Sequence, residues 1–357
     1  MRDQEFCVRP SLEPVCSFEQ LAEQDIAFRP LHMRERDRFF RQIGRLLEER
    51  RKLAIAQELP PLEKAAMAYM PEHVLTQPLT IEQVAFIDEH ESHRFAADAV
   101  HIQQSLATVP IEDSSEPLVH LPTIFRDRGD VTFDTGVFPE MAGKWSGKPQ
   151  EFWLRRSVAE RLLTANTLLG SVGVSLHFIE AFRPLEVQAA MFARRVTNTA
   201  AQHPEWTEEQ ILAESMSKTA SRPRLASHLG GAAVDAWPRD NASGKLLDFG
   251  HTYPSGGALV APASPFVTAK QWLNRQLLQV ATGLAGLTMY PGEDWHVSFG
   301  DNLAALDENN IIRAEYVASF GPIQDFDRAT GEITEVIDSV KIDSLFEYNL
   351  TIGENNV

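Results

Sequence analysis

The sequence predicts an α+β domain: a small, mainly antiparallel sheet with helices packed on one side, preceded by a helical N-terminal extension. Three observations carry this. Stretches whose apolar residues recur three and four apart mark amphipathic helices. Thr-x-x-Gln signatures beginning at Thr80, Thr207 and Thr268 mark where helices start. Short runs of alternating apolar and polar residues, such as Val174 to Phe178, mark strands.

Composition narrows the class further. Hydrophobic residues at 43% and charged residues at 23% are ordinary for a globular chain. A net charge of -17 argues against nucleic acid or an anionic membrane as main partner. Cys7 and Cys16 are the two cysteines, far from every candidate ligand, so a cysteine-rich metal site and a disulfide framework are both excluded. They could pair with each other, but the favoured reading is two free thiols in a reducing compartment. The first residues lack an apolar run and no segment is apolar enough to span a bilayer, which points to a cytoplasmic address.

Residues 1–115 read as a mostly helical leader, with an amphipathic helix over 33–47, a break at Pro60 and Pro61, and a helix from Thr80 to about Leu106. Glu89-His90-Glu91-Ser92-His93 resembles a zinc-binding helix at a glance, but its histidines are not four apart and Arg94 stands where the second belongs, so it reads as a solvated helix face. The polar run from Pro110 to Leu121 reads as a linker or long loop, and irregular loops with short strands follow through Pro149. A helix is expected over 151–169, and a half-buried strand from Val174 to Glu180. Pro184 suits the first position of a helix from Leu185 to about Val196, so Arg183 sits where strand hands over to helix.

The Thr207 box opens a helix to about Lys218, and Pro223 leaves 225–235 as loop and strand. A strand edge or turn is expected at 246–251, a helix from Thr268 through Ala281, and two strands at 287–290 and 295–299. A hairpin signal at 329–331 and a strand over 333–342 close the chain. The resulting division is an extension (1–115), a metal-bearing domain (116–320) and a strand or hairpin tail (321–357).

The chemistry gathers in two segments. Ser227-His228-Leu229-Gly230-Gly231-Ala232-Ala233-Val234-Asp235 presents an imidazole and a carboxylate on a loop entering a strand, and Glu293-Asp294-Trp295-His296 presents a second imidazole with a glutamate three positions before it. His228, Asp235 and His296 supply the nitrogen and oxygen ligands that zinc prefers while leaving a fourth position for water, one Zn2+ per chain. Glu293 is the candidate general base, and Arg183 the candidate stabiliser of the oxyanion that forms at an attacked carbonyl.

Together with Phe182-Arg183-Pro184, these segments resemble the zinc D-Ala-D-Ala peptidases, whose pattern is Ser-x-His-x-x-Gly-x-Ala-x-Asp, then Glu-x-Trp-His, with an arginine in a Tyr-Arg-Pro turn. The cytoplasmic D-alanyl-D-alanine dipeptidases of the vancomycin-resistance type are nearest, because Leu247-Asp248-Phe249-Gly250 is similar to their Asp-Met-Gly segment. The resemblance covers about residues 120 to 320. It implies a hedgehog/DD-peptidase-like fold, a small D-amino-acid peptide such as D-Ala-D-Ala as substrate, a place in cell-wall peptidoglycan chemistry, and the roles above for His228, Asp235, His296, Glu293 and Arg183. Two hydroxyls of the pattern are missing: Ala226 stands two places before His228, and Phe182 replaces the tyrosine. The leader and tail have no counterpart in the pattern and are candidates for a cover over the site mouth or a homo-oligomer interface. The competing readings are a carboxypeptidase or endopeptidase trimming peptidoglycan stems, a non-catalytic zinc-binding module, and an amidase for another small molecule.

Overall fold

The computed structural model describes residues 75, 77–81, 83, 84, 101–127, 131–134, 150–254, 259–262, 264, 266–306, 312–338 and 340–348. The expected helix over 33–47, both cysteines and the 89–93 segment lie outside these residues. The Thr80 capping box is present, with the Thr80 amide donating to Gln83 Oε1 at 2.8 Å and the Gln83 amide to Thr80 Oγ1 at 3.3 Å. Residues 101–106 are helical, and the span 85–100 between them lies outside the described residues.

In chain order the elements are β1 (Leu118–His120), α1 (Leu121–Ile124), β2 (Thr132–Phe133), β3 (Trp153–Arg155), α2 (Arg156–Gly170), β4 (Val174–Glu180), α3 (Leu185–Gln202) and α4 (Glu208–Lys218). Two 3-10 turns, Pro223–Leu225 and Ser227–Gly230, lead into β5 (Ala233–Asp240). Then come α5 (Ala269–Leu284), β6 (Thr288–Met289), β7 (His296–Ser298), β8 (Ile323–Phe326) and β9 (Ile333–Val336). The central sheet has the order β2-β4-β5-β7-β6; β2 and β4 run parallel and the other neighbours antiparallel. It is a mixed, mainly antiparallel sheet in an α+β arrangement.

Helices α2 and α5 build the core against this sheet. Val158, Leu162, Ala165 and Leu169 recur at helical spacing on the buried stripe of α2. On α5, Leu277, Leu278, Val280 and Ala281 join the same cluster, with Leu176, Phe178, Val234, Ala236 and Val297 from the strands. Each fully buried large aliphatic side chain contributes about 1.5–3 kcal/mol by leaving water. Real capping boxes start α4 at Thr207 and α5 at Thr268. Their reciprocal side-chain bonds satisfy backbone N–H groups that a helix start leaves open, a contribution of about 1 kcal/mol each.

Several elements differ from the sequence expectation. Residues 151–155 do not begin the helix: Trp153–Arg155 pairs with Leu118–His120, because Phe152 and Leu154 are buried on strand spacing while Trp153 is not. All seven residues of β4 are buried, rather than half of them, because this strand lies between β2 and β5 and both its faces are covered. Helix α3 runs on to Gln202, burying Val196 and Thr199, and Pro184 takes the N-cap rather than the first helical position. The 110–121 stretch is tied down rather than loose. Ile111 bridges to Ala318, the Asp113 carboxylate meets the fully buried Arg155 guanidinium at 2.7 Å, and the segment ends in β1. The tail hairpin forms as β8 and β9, but β9 stops at Val336, and Ile337 turns into a second apolar cluster beside α3 and α4.

Candidate metal centre

Strands β5 and β7 lie side by side with Asp235 directly opposite His296. Directly paired residues share a face of the sheet, so both side chains leave it on the same side, while Val234, Ala236 and Val297 point the other way into the core. His228 arrives on the 3-10 turn ahead of β5. That turn needs glycine twice. Gly231 has φ of 62° in the left-handed region, and a Cβ on Gly230 would stand 2.7 Å from the Gly321 carbonyl oxygen. Arg155 locks the turn from below by donating from Nε to the Gly230 carbonyl at 2.7 Å.

His228 Nε2 lies 3.2 Å from Asp235 Oδ1, and His296 Nδ1 lies 3.1 Å from the same oxygen. One ligand atom from each of the three residues falls within 4.8 Å of the others, and all three side chains are buried. Four-coordinate zinc with bonds of about 2.0–2.1 Å sets its ligand atoms about 3.3 Å apart, close to the two contacts at Oδ1. The donor set and spacing therefore fit one zinc ion. The outer contacts agree with that use. His228 Nδ1–H donates to the Ala181 carbonyl at 2.7 Å, which leaves Nε2 as the nitrogen with a free lone pair. Asp235 turns its other oxygen, Oδ2, to the Tyr253 hydroxyl at 2.8 Å.

The electrostatics favour a cation at this point. Burial and the neighbouring Arg183 charge push His228 down, toward the neutral imidazole that a metal ligand needs. Burial works to raise the Asp235 carboxyl, but the two imidazoles outweigh it and hold the group well below the usual carboxylate range. At His296 burial is again opposed, by Asp235 and then Glu293, and the ring is pushed up: positive charge is welcome between these carboxylates. Glu293 Oε2 stands 3.9 Å from His296 Nδ1, and its side chain is the most accessible of the group at 31%.

Arg183 reaches the same place from β4. Its backbone N–H donates to the His228 carbonyl at 3.2 Å. Its guanidinium is held in a two-point fork by Glu180, from Nε to Oε1 at 2.8 Å and from Nη2 to Oε2 at 2.6 Å, and Nη1 donates to Gln188 Oε1. Burial acts against its charge, yet Glu180 and then Asp235 outweigh that, so the guanidinium stays firmly protonated.

The structure thus brings together His228, Asp235, His296, Glu293 and Arg183. Sequence reasoning missed Glu180 and Tyr253. Glu180 has a faint signal in its three-residue spacing from Arg183; Tyr253 has none. Asp248, in the Asp-Phe-Gly segment, is turned elsewhere: its carboxylate accepts from the Gly250 amide at 2.8 Å and from Gln271 Nε2 at 3.0 Å, tying the loop to the start of α5. Phe182 is 1% exposed and packs edge-on to Phe326 of β8, with ring centroids 5.1 Å apart. A hydroxyl at that position would point into an apolar cluster.

A buried His-Asp-His group on a small mixed sheet, with a half-open carboxylate beside it, defines the class of metal-dependent hydrolases. Residues 139–314 match the family model described as D-ala-D-ala dipeptidase, and through that segment the chain belongs to the zinc D-Ala-D-Ala peptidase family. It is accordingly a zinc metallopeptidase. No match to a curated protein was found. Among the described residues no helix is long and apolar enough to cross a membrane.

Proposed function

We propose that the chain hydrolyses a small D-amino-acid peptide, most plainly a D-Ala-D-Ala-type dipeptide, with His228, Asp235 and His296 holding the zinc, Glu293 as general base and Arg183 as transition-state stabiliser. The observation that carries this reading is the convergence of the three ligand atoms with the Glu293 carboxylate 3.9 Å from one of them. Zinc, when bound, supplies a Lewis acid that polarises the scissile carbonyl and makes water nucleophilic near neutral pH. Glu293 takes the proton released as water attacks the carbonyl carbon, and returns it to the amine nitrogen as the C–N bond breaks. Arg183 faces the charge that builds on the carbonyl oxygen. Held by Glu180, it needs no reorganisation as that charge forms.

The matched family's description as a dipeptidase supports a small substrate over a long peptidoglycan stem. The organisation into a leader (1–115), a zinc domain (116–320) and a tail (321–357) belongs to the same proposal. Zinc removal by a chelator followed by restoration, with release of D-alanine from D-Ala-D-Ala as readout and L-Ala-L-Ala and a stem pentapeptide as comparisons, tests it. The expected result is zinc-dependent cleavage of the D,D-dipeptide above the other two. Cleavage that survives the chelator, or that prefers the pentapeptide, overturns it.

A further inference from the structure

The loop between β5 and α5 contributes nothing to the metal-ligand set, yet it is fastened to the site by a buried ionic cluster. Asp294, the residue between the candidate base and Trp295, is 0% exposed. Its carboxylate lies 3.0 Å from Arg275 Nε on α5 and accepts from His251 Nε2 at 2.9 Å. Arg275 is itself buried and donates from Nη1 to the Ala261 carbonyl at 3.1 Å and from Nη2 to the Leu259 carbonyl at 2.8 Å; Nη2 also reaches the Phe249 carbonyl. Breaking such a cluster at one member leaves a buried charge uncompensated, so it holds the backbone on both sides of the loop firmly against β7. The side chain this clamp delivers is Tyr253, two residues after His251. It is 3% exposed, edge-on to Trp295 at 5.1 Å, with its hydroxyl on Asp235 Oδ2 at 2.8 Å.

The division of labour at Asp235 follows. Oδ1 faces both imidazoles, and Oδ2 is occupied by a phenol donor. A carboxylate whose second oxygen is committed to a hydrogen bond is steered toward one-oxygen ligation, which keeps three protein donors and an open fourth position. We propose that Tyr253, positioned by the Asp294–Arg275–His251 cluster, is a positioning residue that restricts Asp235 to a single metal-facing oxygen. This rests on the assignment of His228, Asp235 and His296 as the metal ligands.

The test is Tyr253→Phe, read by zinc affinity in competition with a chromophoric chelator and by the visible absorption of the cobalt(II)-substituted protein. Wild type should bind one zinc; failure to do so sinks the ligand assignment itself and not the role of Tyr253. With that established, Tyr253→Phe should bind zinc about 10–100-fold more weakly. Its cobalt bands should also lose intensity as a second carboxylate oxygen enters the coordination sphere. Zinc affinity within twofold of wild type, with an unchanged cobalt spectrum, overturns the proposal. Because a buried substitution also perturbs packing, the same change is measured in an Asp235→Ala background. There the extra loss should vanish if Tyr253 acts through Asp235. An equal loss in both backgrounds assigns Tyr253 to general packing and overturns the proposal.

Discussion

Glu180 and Asp235 stand opposite each other across β4 and β5 because the pairing register shifts between Phe178 and Glu180. Strict alternation would put Glu180 on the same face as Leu176 and Phe178, in the apolar core. The irregularity at Ile179 turns it instead to the face that carries Asp235, as bulges beside active sites commonly do. From there it holds the Arg183 guanidinium in its two-point fork. A strand defect thereby places the positive charge of the site.

Glu180→Ala should cost more stability than its position in a strand suggests. It leaves Arg183 buried without its main counter-charge, a loss of about 3 kcal/mol, softened by the nearby Asp235. Denaturant unfolding of the two proteins measures it, and a change below about 0.5 kcal/mol would show that the fork contributes little.

Glu293→Gln removes the proposed base but keeps the side chain's shape. Zinc content should stay at wild-type level while turnover falls about 10²–10⁴-fold, with KM little changed. Metal analysis beside steady-state kinetics checks both halves. Full turnover would take Glu293 out of its assigned role.

Arg183→Lys keeps the charge and loses the fork. A lysine ammonium cannot engage both Glu180 oxygens in the planar two-point geometry, so kcat should drop by at least tenfold although the charge is preserved. Zinc binding should be unaffected, since Arg183 offers no ligand atom.

Zinc should also stabilise the fold. At free zinc about 100 times the dissociation constant, binding to the native state alone adds about 2.7 kcal/mol, or about 5–10 °C in melting temperature. His296→Ala should abolish that shift, although it also lowers metal-free melting by removing a partner of the buried Asp235 carboxylate. A shift that persists in this variant would locate the responsive metal elsewhere.

Asp113→Ala probes how the segment before β1 is fastened to the site. Asp113 is the charge partner of Arg155, whose Nε holds the Gly230 carbonyl beneath the His228 turn. Loss of the partner should destabilise the fold by about 3 kcal/mol, slightly less where solvent reaches Asp113. It should also weaken zinc binding through the loosened turn. Unaltered zinc affinity in a destabilised protein would separate the two effects.

Sequence alone determined the elements whose signals are local. The capping boxes at Thr207 and Thr268, the helical stripe of 158–169 and the glycine-rich approach to Asp235 are legible because a few neighbouring residues set each of them. The histidines, the aspartate, Glu293 and Arg183 could be named for the same reason: motif spacing is a one-dimensional quantity. Tertiary structure decided what depends on distant partners. Trp153–Arg155 became strand because Leu118–His120 lay beside it, and β4 was buried on both faces because two strands flanked it. Glu180 reached the site through a register shift that no local pattern encodes. Tyr253 met Asp235 across the fold, on a loop that Arg275 and Asp294 contact from later in the chain. Contacts of this kind are set by the packing of whole elements, and residue spacing along the chain carries no record of them.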